Sequence, residues 1–181
     1  MTENADAALV PDTKDWTWVL ERPCPDCGFD PRAVASDDIA RLLTAFTDPW
    51  PSVLERPDAA VRPDPATWSP LEYACHVRDV CRLFDQRLEG ILTQDDPTFG
   101  NWYQDATAVA ERYGEQEPAT VSVELREAAA GLADRFAGVE DVAWSRTATR
   151  SDGARFTTLS FGRYGLHDLA HHLVDVGVAL P

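Results

Sequence analysis

The strongest constraint on the fold is a helix-start signal followed by a long amphipathic stretch in the middle of the chain. Ser69 occupies the N-cap position, Pro70 the first helical position and Glu72 the third, which together make a complete capping box. The apolar residues that follow recur every three or four positions: Tyr73, Val77, Val80, Phe84, Leu88 and Ile91. A helix with this pattern needs other elements against which its apolar stripe can pack.

Three further stretches share the helical period. Ser36 is a candidate N-cap for the first of them, and the prolines on either side of Trp50 end it. The sequence therefore predicts an all-α protein, with four main antiparallel helices and small loop decorations. The predicted elements are a helix from near residue 36, an irregular crossover over 48–68, the capped helix from 69, a short helix over about 103–113, a helix over about 120–137, a hairpin-like excursion over 142–156 and a final helix over about 158–178.

Length and charge limit the classes of function. The chain has 181 residues, enough for one domain with a substantial core. Its net charge of −15 repels phosphate backbones and anionic lipids, so nucleic acid and membrane are poor partners. The acidic start lacks the basic region and apolar core of a signal peptide. We therefore expect a cytoplasmic protein that acts on a small molecule.

Histidines are the main candidates for chemistry. His167 and His171 are four residues apart, so on a helix both imidazoles lie on one face and could share a metal ion. His76 falls at the edge of the buried stripe of the capped helix and faces the interior or a cleft. These three could form a facial triad with open coordination positions, as in catalytic metal sites, or they could be hydrogen-bonded interior side chains. His172 points about 100° away from His171 and is the main competitor as a ligand.

Cys24 and Cys27 form a C-x-x-C-G turn near the N-terminus. The backbone amides of such a turn point at the cysteine sulfurs, so it can supply half of a structural zinc site that is completed elsewhere or by a second copy. A redox dithiol is another interpretation, although no thioredoxin-like βαβ pattern surrounds it. A tight turn with two small apolar side chains is the third, and the sequence leaves all three open.

Two of these segments resemble the DinB superfamily: the T-W-S-P-L-E-Y-A-C-H run that ends at His76 and the L-H-D-L-A-H-H-L run that contains His167 and His171. The similarity extends in order and spacing over about residues 36–178. It implies a DinB-type four-helix bundle with up-down-down-up topology over residues 31–181, preceded by an extension over residues 1–30 that carries the cysteine pair. Carried over by position, the metal ligands of the family fall on His76, His167 and His171. The resemblance implies a divalent metal, most commonly zinc or nickel, and a low-molecular-weight thiol such as mycothiol or bacillithiol as cosubstrate.

Two classes of function follow. The first is a metal-dependent S-transferase or isomerase of detoxification, which holds a thiol on its metal and admits an electrophile near Trp102 and Tyr103; a hydrolase is its nearest variant. The second is a non-catalytic metal-binding stress-response module, in which the metal only stabilises the helical bundle. A pocket that ends at an open coordination position favours the enzyme, and a closed site favours the non-catalytic module. A homodimer is expected because such bundles often pair.

Overall fold

The computed structural model describes residues 14–181, and most of that part of the chain is helical. None of the described helices is both long and apolar enough to cross a bilayer. The α-helices are α1 (Ile39–Thr47), α2 (Trp50–Leu54), α3 (Pro70–Thr93), α4 (Gln104–Ala110), α5 (Pro118–Ala137) and α6 (Thr158–Asp175). The strands are β1 (Thr98–Phe99), β2 (Thr147–Arg150) and β3 (Arg155–Thr157), and short 3₁₀ turns lie at Trp16–Leu20, Pro31–Ala33, Ser36–Asp38, Tyr113–Glu115 and Asp141–Ser145.

The start of α3 agrees with the predicted capping box. The Ser69 hydroxyl accepts a hydrogen bond from the Glu72 amide at 3.2 Å, and the Glu72 carboxylate accepts one from the Ser69 amide at 2.8 Å. The predicted stripe faces the core: Val77, Val80, Phe84, Leu88 and Ile91 are buried, and Tyr73 is half-buried.

Four helices enclose the core. α3 packs against α5 and α6, and α1 packs against the same two helices. α1 and α3 are therefore diagonal to each other, so the chain between them crosses from one side of the bundle to the other. This arrangement agrees with the predicted bundle and long crossover, while the up-down-down-up order of helix directions stays a prediction.

The structure differs from prediction around the first helix and the crossover. Ser36–Asp38 forms a 3₁₀ turn, and Ser36 does not cap α1, which begins only after this turn. The prolines around Trp50 predict an irregular connection, yet Trp50–Leu54 forms α2. Pro51 lies in the first turn of α2, where backbone N–H groups have no acceptor within the helix, so proline costs little there. Burial of Trp50 then anchors the crossover.

A small sheet accompanies the bundle, so the predicted all-α class is correct for the helices and incomplete for the excursion after α5. β2 and β3 pair antiparallel, which confirms the predicted hairpin over 142–156, and Gly153 adopts the positive φ of 94° that its turn requires. β1 pairs in parallel with β2, with Thr98 opposite Thr149. The loop after α3 is therefore tied to the start of α6.

Two glycines bring α6 close to its neighbours. A Cβ atom on Gly162 would lie 2.7 Å from Ile39 Cδ1, and one on Gly165 would lie 2.7 Å from Phe84 Cε1. Neither distance is possible without movement, so both glycines serve helix packing. The close approach of Gly165 to Phe84 sets the distance between α3 and the half of α6 that carries the histidines.

Glu72 provides a pH-dependent contribution to stability. Its carboxylate also accepts a hydrogen bond from Arg62 Nε at 2.9 Å. Burial alone would raise the pKa of Glu72, but Arg62 and the Ser69 amide outweigh it, and the net pKa lies below the usual 4.5. A lowered pKa stabilises the fold above about pH 4.5, and this contribution is lost as pH falls through the pKa of the folded state.

We therefore expect Glu72→Gln to lower the free energy of unfolding by about 1–3 kcal/mol at pH 7. The difference from wild type should shrink as pH falls below 4.5, the usual pKa of the group, in urea unfolding measured across pH. Glu127→Gln, on the exposed face of α5, is the matched control and should show no such trend. A difference between Glu72→Gln and wild type that stays constant down to about pH 3 would contradict the assignment.

Candidate metal centres

α6 carries two pairs of potential metal ligands on neighbouring faces. His167 and His171 make one pair, and Asp168 and His172 make the other. Each pair has the i, i+4 spacing that places side chains one above the other, and the pairs are rotated by about 100°. The two faces therefore meet different parts of the protein.

The first cluster, here called the α3–α6 group, consists of His76, Asp168 and His172. His76 Nε2 lies 3.3 Å from Asp168 Oδ1, and His172 Nε2 lies 3.7 Å from the same oxygen. One ligand atom from each residue lies within 4.8 Å of the others. The three side chains are thus close enough to hold one ion.

Packing holds the His76 ring in place. The side chain is fully buried and stacks almost parallel on Trp102, with ring centroids 5.2 Å apart and an interplanar angle of 9°. Trp68 contacts it from another direction at 5.4 Å. His76 Nδ1 is buried and has no hydrogen-bond partner among the described residues, which is costly for a polar atom unless something else binds it.

The protonation states of this group suit a divalent cation. Burial lowers the pKa of His76, which favours the neutral imidazole. Burial would raise the pKa of Asp168, but the nearby His76 and His172 outweigh it, and the net shift is downward. Neutral imidazoles and an ionised carboxylate are the forms that bind zinc, iron or nickel. The donor set therefore fits the divalent metal that the sequence predicts.

The second cluster, here called the cysteine–histidine group, consists of Cys24, Cys27, His167 and His171. One ligand atom from each lies within 4.8 Å of the other three, and Cys24 Sγ is 3.7 Å from His171 Nδ1. Burial lowers the pKa of His167 to about 4 and raises the pKa of the Cys27 thiol to about 11. Trp16 covers the two imidazoles, with ring centroids 5.6 and 5.2 Å away.

A cleft of about 310 Å³ opens beside both groups. Asp168 and His172 reach its wall, while His76 is buried behind them. The size is at the lower end of small-molecule sites. Aromatic rings and carboxylates dominate the wall, which comprises Trp16, Ala66, Trp68, Tyr73, Gln104, Asp105, Tyr164, His167, Asp168, His171, His172 and Asp175.

Residues 40–175 match the family model described as the DinB superfamily. The chain belongs to the DinB superfamily. All the ligands contributed by α3 and α6 lie inside the matched region, whereas Cys24 and Cys27 precede it. Comparison with curated proteins gave no significant match.

Among solved structures, this DinB chain is similar to YfiT from Bacillus subtilis. The TM-score is 0.72 at 16% sequence identity, over 82% of this chain and 89% of that one. YfiT is described as "a probable metal-dependent hydrolase with an unusual four-helix bundle topology". At this identity the likeness shows the shared bundle fold.

The DinB triad expected at His76, His167 and His171 is divided between the two groups in this structure. His167 and His171 lie with the cysteines, and His76 lies with Asp168 and His172. The turn before α1 places the sulfurs of Cys24 and Cys27 beside the His167 face of α6, a contact that spacing along α6 could not reveal. His172 was recognised as a competing ligand, but Asp168 was missed, although its i, i+4 spacing to His172 was the available signal.

Proposed function

We propose that this protein is a metal-dependent enzyme whose catalytic divalent metal is bound by His76, Asp168 and His172. The observation that carries the proposal is a three-ligand group that reaches the wall of an open cleft. Two imidazoles and one carboxylate leave coordination positions for water or substrate, as in metal-dependent hydrolases and oxygenases. In contrast, the cysteine–histidine group already offers four protein ligands.

The residues around the cleft have distinct parts in this proposal. Trp102 and Trp68 hold His76 in one orientation, and Asp168 sits between the two imidazoles. Burial raises the pKa of Tyr73 to about 12, so its hydroxyl stays protonated and can donate a hydrogen bond to a substrate oxygen. A metal bound here would lower the pKa of a coordinated thiol or water, so that sulfur or oxygen attacks as an anion.

The finer proposal is a low-molecular-weight-thiol-dependent S-transferase or isomerase. None of the described arginines or lysines lines the cleft, whereas Asp105, Asp168 and Asp175 do. Carboxylates accept hydrogen bonds from hydroxyl groups, and aromatic faces pack against apolar ring faces. This lining favours a thiol linked to an uncharged polyhydroxylated group, as in mycothiol, over a thiol that bears carboxylates. In the transfer step the thiol loses its proton, sulfur bonds to the electrophilic carbon and the leaving group departs.

A hydrolase is the second candidate, and the histidine-carboxylate donor set together with the description of YfiT favours it. The two reactions differ in what is consumed. Transfer uses one thiol for each electrophile and forms a thioether, whereas hydrolysis uses only water. Mass spectrometry of products, with and without thiol, separates them.

Metal analysis of tag-free protein tests the ligand set. We expect Asp168→Asn and His172→Ala to weaken binding of one divalent ion at least about a hundredfold and to abolish turnover. Asp105→Asn, on the same cleft wall, is the matched control and should retain the ion. If both ligand variants keep their full metal content while His76→Ala, His167→Ala and His171→Ala each lose the same ion, the single triad is the site and this assignment is wrong. If the wild-type protein binds the metal but turns over no thiol or ester, the non-catalytic metal-binding module is the remaining function.

A further inference from the structure

We propose that Cys24, Cys27, His167 and His171 form a structural zinc site that fastens the segment before α1 onto α6. The site is separate from the α3–α6 group, and its ligand is a single divalent zinc ion. Two thiolates and two imidazoles are the donors of many structural zinc sites, and four protein ligands complete a tetrahedron.

The distances fit that geometry. Typical Zn–S and Zn–N bonds of about 2.3 and 2.0 Å place sulfur and nitrogen about 3.5 Å apart in a tetrahedron. Cys24 Sγ and His171 Nδ1 are 3.7 Å apart. A thiol–imidazole hydrogen bond could also give this separation, but it would leave Cys27 and His167 without a reason to converge on the same point.

The turn that carries the cysteines has the shape of a metal knuckle. The Gly28 amide donates to the Cys24 carbonyl at 2.8 Å, and the Cys24 amide donates to the Phe29 carbonyl at 2.9 Å. Gly28 has a φ of 76°, which favours glycine over other residues. The Phe29 amide is directed at the Cys27 sulfur, where it lowers the pKa of that thiol against the effect of burial. These backbone hydrogen bonds hold the two cysteines in one turn.

The number of protein ligands distinguishes this site from the catalytic one. Cys24 is 1% exposed and His167 is 4% exposed, and Trp16 packs over both imidazoles. His167 Nε2 is buried without a hydrogen-bond partner among the described residues. Although His167 and His171 also border the cleft, four protein ligands complete a tetrahedron and leave no coordination position for substrate, so the ion has a structural role.

The consequence is a fixed wall for the cleft. Between residues 14 and 38, the described part of the segment before α1, the regular structure consists of short 3₁₀ turns, which have few hydrogen bonds of their own. Arg163 on α6 donates from Nε to the Val34 carbonyl at 2.9 Å, which holds the end of this segment. The zinc site holds its middle and thereby keeps Trp16 against the cleft.

X-ray absorption of the zinc-loaded wild-type protein tests the ligands without any mutation. With both sites filled, we expect an average of about one sulfur per zinc, and about two when a chelator has emptied the weaker α3–α6 site. Zinc absorption spectra that show no scattering from sulfur would overturn the proposal. So would a Cys24–Cys27 disulfide in protein purified under reducing conditions, because it would assign the pair to redox chemistry.

Variants then separate this site from the catalytic one. The double change Cys24→Ser with Cys27→Ser should remove one zinc equivalent and leave the ion that Asp168→Asn removes. It should also raise hydrogen exchange at least tenfold in peptides from residues 14–38, while exchange in α3 and α5 stays unchanged. Cys81→Ala, which removes a buried thiol outside both groups, should change neither zinc content nor exchange in this segment. Unchanged zinc content in the folded double variant would contradict the proposal.

Discussion

Arg78→Met is expected to lower the free energy of unfolding by about 3 kcal/mol, because it breaks a buried ion network. Arg78 is 5% exposed, and its guanidinium donates to Asp79 at 2.9 Å and to Gln116 and Glu124 at 2.8 Å each. Methionine fills similar space but removes the nearer and more buried of the two cations that Asp79 and Glu124 share, which leaves them with the exposed Arg82. Both carboxylates keep some access to water, which places the expected cost at the lower end of values for buried pairs.

Arg82→Met provides the matched control. Arg82 lies one turn further along α3 and pairs with the same two carboxylates, at 3.5 Å to Asp79 and 3.3 Å to Glu124. Its side chain is 48% exposed, so we expect a cost below about 1 kcal/mol. Urea unfolding of both variants measures the difference. Equal costs would show that burial of Arg78 does not determine its contribution.

Trp50→Ala is expected to cost about 3–5 kcal/mol, since it removes a fully buried side chain from the crossover. Trp50 belongs to α2, which packs against α5 and α3. The cavity left by alanine cannot close without moving α2 relative to the helices that it contacts. Thermal and urea unfolding would both register the loss.

Trp50→Phe isolates packing from polarity at the same position. Trp50 Nε1 is buried and has no hydrogen-bond partner within the described part of the chain, so phenylalanine sacrifices no hydrogen bond there. We expect it to retain most of the stability that alanine loses. If alanine were as well tolerated as phenylalanine, the crossover would be a passive linker, as the proline content of residues 48–68 suggests.

The comparison of α2 with α3 shows where sequence reasoning succeeds. The capping box and period of α3 are local, and the structure confirms both. α2 is only five residues long, and the prolines on either side of Trp50 predict the end of a helix there. Its formation therefore depends on burial of Trp50 against other helices. A segment this short has no period that could be recognised.

The sequence by itself determined that His167 and His171 share one face of α6 and that His172 points about 100° away from His171, because angles around a helix depend only on spacing. It also placed Cys24 and Cys27 on one turn, for which a half zinc site, a redox dithiol and a plain tight turn all stayed open. Only the tertiary structure decided the partners: Cys24 meets His171 across 147 residues, and His76 meets Asp168 across 92. Spacing sets the direction of a side chain from its own helix, whereas packing sets which surface lies in that direction.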